Sequence, residues 1–237
     1  EGTMGQWQAE AGPGNIYLAP TGSDWPDNHR RFAALCRVAQ LIGSGLLPDW
    51  QPDLVHGHDW QAGLAAAYLA LAGGPRPATV LTVHNLAFQG WVPAASFVEL
   101  GLPATAFAIE GVEYYGGAGM LKAGLYFADR LSTVSPTYAR EIQTPEHGMG
   151  LDGLMRARAG DLVGITNGID TEVWDPARDP HLAAPYSAAD PAPKAASKAA
   201  LQARLGLEQR PQTCMFCIVS RFTQQKGIDL VLEALPT

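Results

Sequence analysis

Clustered positive charge is missing from this sequence. Its 16 lysines and arginines stand against 23 acidic residues, a formal net charge of -7, and the cations never form a run. Neutralising a nucleic-acid backbone takes clustered cations, so no nucleic-acid partner is expected. Long apolar runs are also missing. The longest, Ala62 to Gly73, contains Tyr68 and is too short to cross a bilayer. Glu1 to Gly14 lacks the basic start and apolar middle of a signal peptide. Cysteines are scarce, only Cys36, Cys214 and Cys217, an odd set too sparse for a disulfide scaffold and in keeping with a reducing compartment. These absences predict a cytoplasmic protein, with no membrane contact, acting on small molecules or neutral polymers. Three motifs are absent as well. Without a G-x-x-x-x-G-K-[ST] loop there is no P-loop, without a D-x-D pair no evident carboxylate bridge to a metal and phosphate, and without G-x-S-x-G no support for a serine hydrolase.

What is present is enough apolar material to bury a sizeable core, 47% of the 237 residues, arranged as short apolar runs alternating with helical stretches. That alternation predicts parallel βαβ units, an α/β fold. Leu54 to His58 reads as a strand, Trp60 to Leu71 as the helix after it and Thr79 to His84 as the next strand. Met120 to Ala128 reads as a helix, Arg130 to Val134 as a strand and Leu162 to Thr166 as another. Ser135 followed by Pro136 reads as the cap and first turn of a further helix. Ligands of open parallel sheets sit off the carboxyl ends of the strands, where this sequence places His58, Asp59, His84, Asn85, Ser135 and Asn167.

Composition then shifts. Trp174 to Lys198 carries Pro176, Pro180, Pro185, Pro191 and Pro193 and reads as a connection between lobes. A short helix at Lys198 to Leu205, a strand at Thr213 to Val219 and a helix from Ile228 would open a second α/β domain. The expected division is 1–166, a linker at 167–212, and 213–237. Because the chain starts at Glu1 rather than Met and ends soon after an incomplete helical pattern, both natural termini are expected to lie outside it.

Several side-chain groups carry chemistry. Arg221 and Lys226 flank a turn between the expected strand and helix, where two cations can neutralise a diphosphate; the same spacing also suits a pair of solvated surface cations. His84 and Asn85 end a strand and suit recognition of sugar hydroxyls, or form a structural histidine corner. His56, His58 and Asp59 resemble a metal cluster only weakly, since no third ligand has the usual spacing. Cys214 and Cys217 form a C-x-x-C inside an expected strand and are read as core packing. Gly116 to Gly119 with Lys122 reads either as a phosphate loop or as a tight turn before a helix.

Taken in order, His56-Gly57-His58-Asp59-Trp60-Gln61-Ala62-Gly63, Thr82-Val83-His84-Asn85-Leu86-Ala87-Phe88-Gln89-Gly90, Leu121-Lys122-Ala123-Gly124, Val134-Ser135-Pro136-Thr137-Tyr138-Ala139, Asn167-Gly168-Ile169-Asp170 and Ser220-Arg221 through Lys226-Gly227 resemble the motifs of bacterial ADP-glucose-dependent glycogen synthases and plant starch synthases, glycosyltransferase family 5. The resemblance implies GT-B architecture, two Rossmann-like domains facing each other across a cleft. It implies retaining transfer of glucose from ADP-glucose to the non-reducing end of an α-1,4-glucan, with no cofactor. Carried over by position, His84, Arg221, Lys226 and Asp59 would be catalytic, and Asn85, Asn167, Lys122 and Ser135 would bind substrate. Retention by front-face attack, with the leaving diphosphate helping to deprotonate the acceptor, would require no protein nucleophile. The family's N-terminal lysine-glycine loop and C-terminal glutamate motif have no counterpart here, so these residues alone are expected to be inactive. Another retaining GT-B transferase and a silent glucan-binding segment are the alternatives.

Overall fold

The computed structural model describes residues 16–222 and 226–235. They divide into two compact units, 1–167 and 168–237.

The first unit is built on a four-stranded parallel sheet. In chain order its elements are α1 (Asn28–Gly43), β1 (Leu54–His58), α2 (Asp59–Leu71), β2 (Ala78–Val83), β3 (Trp91–Pro93), β4 (Glu113–Tyr114), β5 (Gly117–Gly119), α3 (Met120–Phe127), β6 (Arg130–Thr133), α4 (Pro136–Glu141), α5 (Asp152–Ala157) and β7 (Leu162–Gly164). The sheet runs β1-β2-β6-β7, with Leu54 opposite Ala78, Val80 opposite Arg130 and Leu131 opposite Leu162. The expected fold class is therefore the one observed in this unit, and each strand expected before residue 167 forms. β7 stops at Gly164, two residues short of expectation. A Cβ at Gly164 would stand 2.2 Å from the carbonyl oxygen of Ser135, so the chain leaves the sheet where it crosses the start of α4.

Helix α2 is apolar on nearly every side, with Gly63 through Leu69 all buried. Such a helix must be covered all round, and here α1, α3 and the sheet surround it. Its crossing with α3 is set by glycine. A Cβ on Gly63 would lie 1.9 Å from the Met120 carbonyl oxygen, and one on Gly124 would lie 2.9 Å from the Gly63 Cα. The close approach splits the burial of α3 between two cores. Met120 and Ala123 join Leu64, Tyr68, Cys36 and Leu100, while Leu121 and Leu125 join Leu81, Val83, Leu131, Ile142 and Met155.

Beyond that crossing, the Arg158 guanidinium closes the carboxyl end of α3 by donating to the carbonyls of Leu125, Tyr126 and Ala128. Asp129, at the turn into β6, accepts a bidentate pair from Arg76 at 2.7 Å each and two further bonds from Thr79.

The three-stranded antiparallel sheet β3-β5-β4 was not legible in the sequence. Gly117 to Gly119, read as a turn or phosphate loop, is its buried central strand. The turn is one residue pair earlier, at Tyr115 and Gly116, both with positive φ (47° and 77°) as a two-residue hairpin requires. Gly117 is glycine because the Trp91 indole lies against it, 2.4 Å from where a Cβ would be.

In the second unit the described elements are two helices, α6 (Lys194–Arg204) and α7 (Ile228–Ala234). The expected strand at Thr213 to Val219 does not form. A strand is stabilised by neighbours to pair with, and this unit offers none among the described residues. Phe216 and Val219 remain 91% and 96% exposed. Cys214 and Cys217, expected in a core, are exposed for the same reason.

Two outcomes follow for stability. Gly63→Ala forces α2 off the Met120 carbonyl and should cost about 1–3 kcal/mol, read as a lowered urea midpoint at unchanged slope. Arg76, with help from Thr79, holds the Asp129 carboxyl below the usual carboxylate range. Its contribution is present above the unfolded value near pH 4 and fades as the pH falls further. Asp129→Asn should therefore lower stability at neutral pH and flatten its decline below about pH 4, measured by urea titration across pH.

Candidate functional site

The parallel strands bring their carboxyl ends together, and the polar residues meet there. At the β1–α2 junction Asp59 takes a left-handed backbone conformation, φ 54°, uncommon for a residue with a side chain though more accessible to Asp and Asn than to most. That turn aims its carboxylate at the end of β2. Its Oδ1 accepts from the backbone N–H of His84 at 2.7 Å and of Asn85 at 3.5 Å. Asp59 is thus tied to the main chain of His84 and Asn85 and supports the segment that leaves the end of β2.

Around it lies a ladder of side chains on one face of the sheet. Alternate residues of a strand share a face, so His56 and His58 stack, ring centroids 4.5 Å apart. Both rings therefore project from the same face. His58 Nδ1 lies 3.1 Å from His84 Nε2. His56 Nε2 lies 2.7 Å from Thr82 Oγ1, which lies 2.6 Å from Ser132 Oγ on β6. Burial, then the two neighbouring imidazoles, pull the His56 pKa below the ordinary histidine value. Among the described residues no histidine, cysteine and carboxylate group is arranged to hold a metal ion.

Asn85 caps its own turn, its Oδ1 accepting from Ala87 N–H at 3.0 Å. Leu86 N–H donates to the Tyr138 hydroxyl at 3.0 Å, so α4 also holds the His84–Leu86 segment. Ser135 is the helix cap that its sequence position predicts: its Oγ accepts from Tyr138 N–H at 2.9 Å. Asn167 is exposed in the extended stretch beyond β7.

Lys122 departs most from the role assigned to it. It is 8% exposed, and its ammonium donates to the carbonyls of Ile109 and Glu113. Burial draws its pKa below the ordinary lysine value. It anchors the loop carrying β4 and presents no cation to a substrate. Nor does the glycine-rich stretch before α3 form a phosphate cradle, because Met120 and Leu121 N–H already donate to the carbonyls of Gly90 and Gln89. Arg221 and Lys226 belong to the second unit, and both are exposed. The residues between them, 223–225, lie outside the described set.

Missed by sequence reasoning were the roles of Thr82 and Ser132 in the ladder and the placement of Trp60. The Trp60 ring packs on Gly90, where a Cβ would fall 2.4 Å from the indole, and meets Phe32 edge-on at 4.7 Å. A glycine seven residues after the end of β2 was the available signal, and in the structure it takes positive φ, 57°.

A parallel α/β sheet with its polar side chains gathered at the carboxyl edge defines the first unit as a Rossmann-like domain. The starch synthase catalytic domain matches residues 7–157, and the chain belongs to that family. It is 58% identical over 226 residues to the glycogen synthase of Acidiphilium cryptum, covering 95% of this chain and 47% of that protein. The glycogen synthase of Rhodopseudomonas palustris is 57% identical over 224 residues, covering 94% and 46%. Among solved structures, the catalytic domain of starch synthase IV from Arabidopsis thaliana, bound to ADP and acarbose, superposes with a TM-score of 0.73 at 32% identity over 89% of this chain and 44% of that one. The chain thus spans about half the length of the curated relatives it matches.

Because the Asp59 carboxylate receives backbone donors, Asp59→Ala should cost about 2 kcal/mol, from lost charge-assisted bonds together with a strained turn. Asp59→Asn, which tolerates the same turn and keeps one acceptor, should cost less than half as much. Equal urea midpoints for the two variants would contradict this account.

Proposed function

We propose that this chain carries the sugar-facing part of a retaining glucosyltransferase that moves glucose from ADP-glucose to the non-reducing end of an α-1,4-glucan. The observation that carries the reading is the tethered Asp59–His84–Asn85 corner at the carboxyl edge of the sheet, in a chain 58% identical to a glycogen synthase. The ADP and acarbose bound to starch synthase IV support a nucleotide sugar and a glucan as the two ligands.

In this reading His84 and Asn85 meet sugar hydroxyls, held in place from behind by Asp59 and Tyr138. Arg221 and Lys226 supply positive charge to the leaving diphosphate, whose charge grows in the transition state and which therefore gains most from fixed cations at that moment. With no D-x-D pair in the sequence, the cations take the part a divalent metal plays elsewhere. Asn167 stands at the junction of the two units and is assigned to substrate by family position alone. Lys122, whose ammonium is taken up by two backbone carbonyls, is left out of this reading. Ser135, whose Oγ accepts at the helix end and keeps its O–H to donate, stays assigned to substrate by family position alone.

The chain by itself is expected to be silent. Transfer needs both sets of groups held to sub-ångström accuracy, and Arg221 follows a segment without a strand to fix it. The test measures incorporation of labelled glucose from ADP-glucose into glycogen, with and without a chelator, by the full-length gene product and by residues 1–237. The full-length protein should be active and indifferent to the chelator, and Arg221→Ala or Lys226→Ala should lower its turnover more than about tenfold, roughly 1.4 kcal/mol or more of transition-state stabilisation. Near-normal turnover in both variants would remove the diphosphate assignment. Incorporation by residues 1–237 well above a His84→Ala, Arg221→Ala control would show that these residues already complete a working site and overturn the expected silence.

A further inference from the structure

His58 takes no part in the reading above, yet its side chain touches that of His84, one of the two residues expected to meet sugar hydroxyls. Its Nδ1 stands 3.1 Å from Nε2 of His84, with the two ring centroids 5.3 Å apart. On its other side its ring stacks on His56, itself bonded to Thr82. Two imidazole nitrogens at this distance share one proton: one donates and the other accepts. Whichever arrangement holds, the contact decides the state of the remaining nitrogen of His84. If His84 Nε2 accepts, its Nδ1 carries the proton and offers a donor to a sugar oxygen. If His84 Nε2 donates, its Nδ1 offers a lone pair to a sugar hydroxyl.

We propose that His58 is a positioning residue that fixes the tautomer and ring orientation of His84, so that His84 presents a single kind of hydrogen-bonding nitrogen to the sugar. The proposal rests on the function proposed above and adds to it a residue that acts only through another. Three contacts make His58 a rigid partner. The stack with His56 limits rotation of its ring, the Thr82–Ser132 pair holds His56 in turn, and the bond from His84 N–H to Asp59 fixes the backbone on the far side. The charged and titratable groups around the pair are His56 on β1, Asp59 at the start of α2 and the Tyr138 phenol on α4. Burial raises the Tyr138 pKa, and burial followed by the neighbouring rings lowers that of His56, so both favour their neutral forms at neutral pH. Asp59 directs its Oδ1 to backbone N–H groups. His84 therefore has its side-chain partner in His58 rather than in the carboxylate that generally orients an active-site histidine.

The experiment compares His58→Ala with His58→Asn in the full-length gene product, after circular dichroism has confirmed that both fold. The asparagine amide places a nitrogen or oxygen where Nδ1 stood and can donate or accept there, but it cannot titrate. Imidazole nitrogen shifts of His84, assigned by its loss in His84→Gln, should report one neutral tautomer in the parent protein and in His58→Asn, and a mixture in His58→Ala. Turnover should fall more than tenfold in His58→Ala with KM for ADP-glucose changed less than threefold, and His58→Asn should recover most of it. A single tautomer in all three proteins, or an asparagine variant no better than the alanine one in the shifts, overturns the proposal. The shifts are read without substrate, so a parent protein that lacks glucosyl transfer counts against the proposed function and leaves this test intact.

Discussion

The bond from the Asp59 carboxylate to the backbone of His84 is the constraint on which the candidate site depends. It joins the carboxyl ends of neighbouring parallel strands, β1 and β2, at the place where ordinary sheet pairing has run out. Strand pairing stops at His58 opposite Thr82, and without a further tie the segment from His84 to Gly90 would leave the sheet as an unrestrained loop. The left-handed turn at Asp59 is what lets a residue that also begins helix α2 reach sideways to that segment. Backbone strain at this one position is thus coupled to side-chain placement at the next strand. From His84 the restraint passes on: Leu86 is held by Tyr138, Gln89 and Gly90 receive the first amides of α3, and Trp60 closes over Gly90. The loop from His84 to Gly90 is in this way fastened to three helices.

The sheet exposes a second physical fact. Its buried side chains, Thr79, Leu81, Val83, Leu131 and Thr133, alternate with outward residues that include Leu54, His56, His58 and Val163. Leu54 and Val163 are 49% and 52% exposed, although parallel sheets are generally covered on both faces. The histidine ladder occupies the polar half of this open face. Polar side chains there satisfy one another, His56 to Thr82 to Ser132 and His58 to His84, so the face presents a connected network rather than scattered donors.

Much of this was legible in the sequence because strand and helix periods are local. The β1–α2–β2 run declared itself through the Leu54-Val55 pair, the alanine-rich stretch and the Thr79-to-His84 run, and Ser135-Pro136 announced its helix end with the correct cap. The role of Lys122 was not legible, since a lysine beside glycines looks the same whether its ammonium meets phosphate or two carbonyls of a distant loop. The β3-β5-β4 sheet was hidden for a related reason: Gly117 to Gly119 carries no strand propensity, and only the indole of Trp91 and the carbonyl of Val92 pressing on Gly117 explain why it is extended and why it must be glycine. Thr213 to Val219 failed in the opposite sense. Its residues have the right pattern, but a strand is a property of a pair, and the pattern alone supplies no partner. The histidine ladder fell between these cases, because the i, i+2 spacing of His56 and His58 was visible whereas the register placing His84 beside them was not.

The glycine contact between α2 and α3 has a consequence for how this site can vary. Gly63 and Gly124 meet with no room for a methyl group at Gly63, so the two helices share a fulcrum that neither sequence drift nor design can shift by small steps. His84 is carried on one arm of that fulcrum, through the Asp59 end of α2, and Gln89 and Gly90 on the other, through the first turn of α3. Variation at this edge of the sheet therefore has to enter through the loops that hang from these arms, while the angle between the arms stays fixed.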